Sequence, residues 1–244
     1  MLSEPLYPGC QGEYFSMDAK EVVPKPIQKP HPPVWMAAGR GHSVDEAAAL
    51  GMGALSHTFQ SPETTAEQVA AYWQQLRRSV RPIGRAITPA TTSVANMLCC
   101  PTTEEAVAKG QPDADFFSFA IQRTRRKPID HLYRDFVAGG GQAQETAQPL
   151  SEAERRFVQL STGPFMMLGS PAHLRDLLRR YEASRVDVFI FLIQCGVRPH
   201  ELIMESLELF AKEVMPEFQE RHAEHQRWRE EQLDGINLPI VCSI

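Results

Sequence analysis

The chain has 244 residues, of which 43% are hydrophobic and 23% are charged, a composition typical of a globular protein with a substantial core. A net charge of -5 excludes a general electrostatic attraction to nucleic acid or to an anionic membrane surface. No segment approaches the roughly 20 apolar residues that cross a bilayer, and the first residues are unlike a signal peptide, so we expect a cytoplasmic protein without a membrane partner.

Proline dominates the first 33 residues and predicts an extended leading segment. Prolines occupy positions 5, 8, 24, 26, 30, 32 and 33, a density that is incompatible with a helix or a central strand. Residues 22–33 should therefore run extended over the surface. Residues 34–38 predict a short buried strand that ends in the loop Gly39-Arg40-Gly41. Ser43 and Glu46 have the spacing of a capping box, so a helix should follow this loop.

Two further strand–helix units come next. Residues 54–59 predict a second strand, and Ser61-Pro62-Glu63 opens a helix whose apolar side chains recur at spacings of three and four. Residues 91–98 predict a third strand, and Thr102-Thr103-Glu104-Glu105 predicts the start of a short helix. Residues 111–165 break this pattern, and we interpret them as an insertion with helical pieces and a glycine-rich mobile loop.

The pattern resumes after the insertion. Gly169-Ser170-Pro171 begins a helix, and residues 186–193 form the strongest predicted strand of the chain, apolar on both faces like a parallel strand covered on both sides. A long amphipathic helix should start at Pro199, and residues 219–244 predict a solvated polar tail. Four strand–helix units in succession favour an α/β fold with a parallel sheet and helices outside it.

The cysteines and histidines do not have the spacing of a metal site. The five cysteines are scattered, and the adjacent Cys99 and Cys100 suit neither a zinc clamp nor a C-x-x-C redox pair. We interpret the cysteines as reduced and as small apolar side chains. His222 and His225 lie about one helical turn apart in a polar segment, which indicates a solvated helix face rather than a metal site.

Four segments carry a resemblance to a known family. They are the proline-rich run 24–38 before the first predicted strand, the glycine–aromatic turn 12–15, the helix start 169–171 and the helix 205–216. Together they resemble the luciferase-like flavin-dependent monooxygenases, in which the proline-rich run leads into the fifth strand of the barrel. The resemblance covers residues 12–100 and 165–218, and the proline-rich run is its most specific part.

This resemblance implies both a fold and a cofactor. The fold would be a partial (β/α)8 TIM barrel of about four carboxyl-terminal β/α units, residues 34–218, with the insertion before the last unit. The cofactor would be reduced FMN, with a deazaflavin as the alternative, acting with O2 on a small organic substrate. A flavin reductase would be the expected partner. In the family, the loop after the fifth strand and the start of its helix hold the flavin phosphate.

The corresponding loop of this sequence supplies the predicted binding residues. By position they are Gly39, Arg40, Gly41, His42 and Ser43. Free amides at a helix start attract a phosphate, glycines let the backbone approach closely, and an arginine fork pairs with phosphate oxygens. Arg40 is either a phosphate ligand or a surface arginine, and Ser43 either binds the phosphate or only caps the helix. His57, at the end of the next strand, either lines the flavin ring or is structural.

Catalytic residues are expected outside this sequence. The family's first four strands surround the reactive edge of the flavin and should precede Gly12, but eleven residues do so here. We therefore predict no catalytic residue in this chain, and we expect a fragment that oligomerises or pairs with the missing barrel half. Two alternatives remain open: a non-catalytic half-barrel, and an unrelated α/β binding module in which the proline-rich match is accidental.

Overall fold

The amino-terminal segment folds back on itself as two short antiparallel strand pairs. The computed structural model describes residues 2–39, 41–56, 60–124 and 166–241. Strand β1 (Leu6–Tyr7) pairs with β4 (Lys20–Glu21), and β2 (Cys10–Gln11) pairs with β3 (Ser16–Met17). Residues 22–33 contain no helix or strand, as the proline density predicts. The strand pairs were not predicted, because two-residue strands leave no periodic pattern to detect.

Four strands run parallel in the order of the sequence. They are β5 (Trp35–Ala37), β6 (Gly53–Leu55), β7 (Thr92–Cys99) and β9 (Val188–Leu192). Strand β5 pairs with β6, a single bridge from Ala54 to Thr91 joins β6 to the start of β7, and β7 pairs with β9 over five residues. The four predicted strands and their parallel direction are therefore confirmed. A fifth strand, β8 (Met167–Gly169), pairs with the end of β7 and was missed.

Helices connect the parallel strands. Their bounds are α1 (Gly41–Ala49), α2 (Pro62–Arg78), α3 (Thr103–Thr124), α4 (Pro171–Ala183), α5 (His200–Glu213) and α6 (Met215–Leu233). Helices α2 and α4 start in the same way, because a serine hydroxyl accepts from a backbone amide three residues later and a proline follows the serine. The Ser61-Pro62 and Ser170-Pro171 predictions are thus confirmed.

Two helix predictions need correction. Helix α1 begins at Gly41, so Ser43 lies inside its first turn and does not precede the helix as a cap. Helix α3 is not short: it continues to Thr124 and so occupies the first part of the predicted insertion. The rest of that insertion, residues 125–165, lies outside the described residues.

The apolar core lies between the strands and the helices. One cluster packs β7 and β9 against α4 and α5, with Met97, Tyr181 and Phe210 among its buried members. A second cluster packs β5 and β6 against α1 and α2, and it includes Tyr72 and Trp73. These two clusters cover one face of the parallel strands, and a third cluster packs Leu98, on the other face of β7, against Ala106 and Ala114 of α3.

The carboxyl-terminal segment packs more closely than a solvated tail would. It continues as α6, and Arg229 on this helix is only 4% exposed. The Arg229 guanidinium bonds the Asp187 carboxylate, and its Nη2 donates to the carbonyl of Pro89 at 2.9 Å. Beyond the helix, the amide of Val241 donates to the carbonyl of Ile87.

Two features of the described residues bear on membranes and metals. Among them, no helix combines the length and the apolarity that a membrane span requires. Within the same residues, no three His, Cys, Asp or Glu side chains come together as a metal site. Cys99, Cys100 and Cys195 are buried free thiols, whereas Cys242 lies outside the described part of the chain.

Candidate functional site

The predicted phosphate loop follows the carboxyl end of β5. The amide of Ala38 donates to the carbonyl of Leu55 at 2.9 Å, so the pairing of β5 with β6 continues to the start of the loop. Gly39 is buried, and Gly41 is the first residue of α1. Because β5 and β6 are parallel, this loop lies at the same edge of the sheet as Ser56, which follows β6. In parallel α/β folds, this is the edge at which ligands bind.

The start of α1 is electrostatically suited to an anion. The first-turn amides of a helix have no partner inside the helix and carry a partial positive charge. The first turn of α1 contains no acidic residue, whereas those of α2 and α5 contain Glu63 and Glu201. His42 is exposed and Ser43 is half-buried. An incoming anion would therefore meet polar groups and no carboxylate in this turn.

A buried hydrogen-bond chain holds the loop from behind. The side-chain amide of Gln60 donates to the carbonyl of Gly39 at 3.3 Å. The hydroxyl of Tyr181 on α4 donates to the backbone carbonyl of Gln60. Burial raises the pKa of Tyr181 well above its usual range, so the phenol remains a neutral donor. The loop is thus fixed through a residue 121 positions away from Gln60 in the sequence.

The end of β6 is fixed against β7 in a similar way. The amide of Ser56 donates to the hydroxyl of Thr92 at 2.8 Å, and both residues are buried. Behind the loop, Ala38, Val44 and Ser56 line a cavity of about 10 Å³. That volume holds at most one water, so a large ligand at this edge would rest on the loop and would not enter this cavity.

The opposite part of the edge is formed by β7 and the segment after β9. The Arg198 side chain is fully buried, and its Nη1 donates to the carbonyls of Met97 at 2.8 Å and of Ile193 at 2.7 Å. Its Nε lies 3.3 Å from the carboxylate of Asp113 on α3. The thiol of Cys195 donates to the side-chain oxygen of Asn96 on β7. These contacts tie the segment after β9 to β7 at the point where the strand pairing ends.

Burial favours the neutral form of the thiols near this edge. Burial raises the pKa of Cys99 to about 11 and that of Cys195 to about 11. Only a small fraction of either thiol is therefore ionised near neutral pH, and thiolates are the reactive form. The interpretation of these cysteines as small apolar side chains agrees with this burial.

The structure brings together most of the predicted binding residues. Gly39, Gly41, His42 and Ser43 form one turn at the carboxyl edge of the parallel strands. Arg40 and His57 lie outside the described residues, so their predicted roles stay predictions. Gln60 and Tyr181 were missed, because the sequence marks Gln60 only as the residue before a helix cap and Tyr181 only as an apolar helix position.

Comparison with known proteins identifies relatives over most of the chain. A family model described as luciferase-like monooxygenase matches residues 7–188. The oxygenase component of a flavin-dependent trigonelline monooxygenase from Acinetobacter baylyi is 24% identical over 222 residues, which are 87% of this chain and 57% of that protein.

Solved structures show the same fold. The monooxygenase RslO1 from Streptomyces bottropensis matches with a TM-score of 0.55 and 19% identity over 86% of this chain and 55% of that chain. A structure in complex with FMN also matches, that of the oxygenating constituent of 3,6-diketocamphane monooxygenase from Pseudomonas putida. Its TM-score is 0.55 and its identity 16%, over 88% of this chain and 59% of that chain. The coenzyme F420-dependent tetrahydromethanopterin reductase from Methanopyrus kandleri matches with a TM-score of 0.55 and 15% sequence identity. That match covers 86% of this chain and 57% of the reductase chain. The chain thus spans between 55% and 59% of the length of these relatives.

Proposed function

The chain belongs to the luciferase-like monooxygenase family, and from this membership we propose that it binds a phosphorylated flavin on the oxygenase side of a flavin-dependent monooxygenase reaction. The cofactor is reduced FMN, and a deazaflavin is the alternative, since one structural relative is named as F420-dependent. The substrates are O2 and a small organic molecule. A separate flavin reductase is the partner, since the trigonelline relative is named as an oxygenase component.

One observation carries the binding part of this proposal. The turn that leaves β5 starts α1 at Gly41, at the carboxyl edge of the parallel strands, with no acid in the first helical turn. A phosphate at this point accepts hydrogen bonds from the first amides of α1 and gains from the helix dipole. Gly39, held by Gln60, keeps the turn in place before the ligand arrives. In this proposal Arg40 contributes a charged donor to the phosphate.

The residues of the chain bind and orient, and the cofactor supplies the redox chemistry. Reduced flavin provides the electrons for oxygen activation when it is bound. The loop after β5 would hold the phosphate end of the ligand, at the carboxyl edge that it shares with β6. His57, directly after Ser56, lines the ring in this proposal. No residue of the chain is assigned a proton-transfer step.

We propose further that the parallel strands form half of a (β/α)8 barrel. Strands β5, β6, β7 and β9 follow each other in the order of the sequence, with α1, α2, α4 and α5 on one face. Further strands next to β5 and β9 would close the ring. The alternative function is a non-catalytic half-barrel that pairs with a second copy. It is favoured by the half-buried apolar residues of β9, which need a cover.

A phosphate-dependent binding experiment tests the proposed site. We expect Arg40→Ala to weaken FMN binding by about tenfold to a hundredfold, the effect of losing a charged hydrogen bond, and to leave riboflavin binding unchanged, because riboflavin has no phosphate. The matched control is Arg81→Ala, because Arg81 is an exposed arginine at the other end of α1. Its backbone amide, which donates to the carbonyl of Ala49, is kept in the variant. Fluorescence titration of the purified chain measures both affinities.

Two results would contradict the proposal. Equal losses for FMN and riboflavin would remove Arg40 from the phosphate site. A chain that forms a stable dimer by light scattering, and that binds neither FMN nor F420, would favour the non-catalytic half-barrel.

A further inference from the structure

Gln60 is a buried glutamine between β6 and α2 whose side chain reaches back to the loop after β5. It is 7% exposed, and its side-chain amide donates to the carbonyl of Gly39 at 3.3 Å. The next residue, Ser61, caps α2 by accepting from the amide of Thr64, so the backbone beside Gln60 is fixed at the start of that helix. The Gln60 side chain therefore bridges the start of α2 and the loop that leads into α1.

Tyr181 on α4 holds the backbone of Gln60. Its hydroxyl donates to the backbone carbonyl of Gln60, and Tyr181 is only 1% exposed. Its ring packs edge-on against Phe189 of β9, with the ring centroids 4.7 Å apart. The hydroxyl is therefore fixed by packing in the last strand–helix unit, and it links the position of Gln60 to that unit.

The direction of the Gly39 carbonyl matters for an anion at this loop. A carbonyl oxygen carries a partial negative charge and would repel a phosphate, whereas a backbone N–H attracts one. In a trans peptide group the C=O and the N–H point in opposite directions, so a carbonyl that is turned towards Gln60 turns the N–H of the same group away from it. Glycine does not fix this direction by itself, because it adopts both signs of φ readily.

We propose that Gln60, placed by Tyr181, is a positioning residue that gives the site a preference for a phosphorylated flavin over an unphosphorylated one. This inference rests on the proposed function, in which the loop after β5 binds the flavin phosphate. Gln60 itself touches no part of the ligand. It keeps the carbonyl of Gly39 turned inwards, so that this oxygen does not face the phosphate. The selectivity of the loop thus depends on a residue 121 positions away from Gln60 in the sequence.

The main test removes the side-chain donor of Gln60. Gln60→Met keeps a side chain of similar length and loses the amide. We expect it to weaken FMN binding by about threefold to tenfold, the effect of one hydrogen bond between neutral groups, and to leave riboflavin binding unchanged. The matched control is Gln75→Met, since the Gln75 amide also donates to a backbone carbonyl, that of Ser79 at the other end of α2. It should change neither affinity in fluorescence titrations.

A second pair of variants separates positioning from general stability. Tyr181→Phe keeps the packed ring and removes only the hydroxyl, so the chain should fold and its preference for FMN over riboflavin should fall by about twofold to fivefold. Tyr72→Phe is the control, because Tyr72 is also buried and its hydroxyl donates to two backbone carbonyls at the amino ends of β6 and β7. We expect the urea midpoint to fall in both variants and the preference to change in Tyr181→Phe alone.

The possible outcomes distinguish this inference from the phosphate site. If Gln60→Met weakens FMN and riboflavin equally, or weakens neither, while Arg40→Ala still weakens FMN alone, the positioning role is overturned and the phosphate site stands. The positioning role also fails if Tyr72→Phe lowers the preference as much as Tyr181→Phe does. A wild-type chain that binds FMN no more tightly than riboflavin would overturn the phosphate site, and the positioning role with it.

Discussion

Strands β7 and β9 lie side by side, and the strand that contains polar residues is the more deeply buried of the two. All eight residues of β7 are buried, although Thr92, Ser93 and Asn96 are polar. All five residues of β9 are apolar, and each is only half-buried. The reason is position: β7 has neighbours on both sides, whereas β9 is paired only with β7 among the described strands.

An apolar sequence does not by itself mean that both faces of a strand are covered. Residues 186–193 were predicted to be covered on both faces because they are apolar on both faces. Phe189 and Phe191 do pack against the helix-side cluster, but Ile190 and Leu192 on the other face remain half-exposed. A partly exposed apolar face of this kind often marks an interaction surface. In the half-barrel proposal, further strands next to β9 would cover this face.

The largest expected effect is at the junction that joins the two strands. Asp187, just before β9, accepts from the amide and hydroxyl of Thr91 at 2.7 and 2.9 Å, and it pairs with Arg229 and His225. We expect Asp187→Ala to cost about 3–5 kcal/mol in the free energy of unfolding, because it leaves the buried Arg229 without a counterion. Urea denaturation measures this loss.

The control for this prediction is an exposed aspartate. The Asp176 side chain is 74% exposed in its pair with Arg179. We expect Asp176→Ala to lower the free energy of unfolding by less than about 1 kcal/mol. Similar losses for the two variants would mean that the junction between β7 and β9 does not depend on Asp187.

A matched leucine pair tests the difference between the strands directly. Leu98 on β7 is 1% exposed, whereas Leu192 on β9 is half-buried. We expect Leu98→Ala to cost about 2–5 kcal/mol, as is usual for a fully buried leucine, and Leu192→Ala to cost less than half of that. Equal losses would show that the free face of β9 is covered in solution. If the losses become equal only at high protein concentration, a second copy supplies the cover.

The smallest expected effect concerns the helix that packs on both strands. Ser170 caps α4 by accepting from the amide of His173 at 3.3 Å, and α4 contributes Leu174 and Tyr181 to the cluster behind β7 and β9. Ser170→Ala should cost about 1 kcal/mol. The rate of amide hydrogen exchange should rise equally in β7 and β9, because α4 packs on the same face of both strands. A rise confined to β9 would mean that α4 stabilises β9 alone.

The local features of this fold could be read from the sequence. Alternating strand and helix patterns predicted the four main parallel strands, since hydrophobic periodicity depends on the residue's own element. The serine–proline pairs predicted the starts of α2 and α4, because a cap needs only residues three positions apart. The loop 39–43 was predicted as a helix start at a strand end, and only the exact first residue of the helix was wrong.

The features that hold the candidate site together could not be read in this way. Asp187 looked like a break in an apolar run, and Arg229 looked like one charge in a polar tail, yet they form a buried pair 42 positions apart. Gln60 and Tyr181 fix the loop over 121 positions. Nothing in a local pattern distinguishes such partners from ordinary surface residues.

The sequence by itself determined the order of strands and helices, the proline-rich approach to β5 and the family. Only the tertiary structure decided that β7, with its three polar residues, is central, that β9 is paired on one side only among the described strands and that Asp187 and Arg229 form a buried pair. The physical reason is that periodicity, caps and turns depend on residues a few positions apart. Burial and hydrogen bonding depend on tertiary contacts between segments that are distant in the sequence, and these contacts form only in the folded chain.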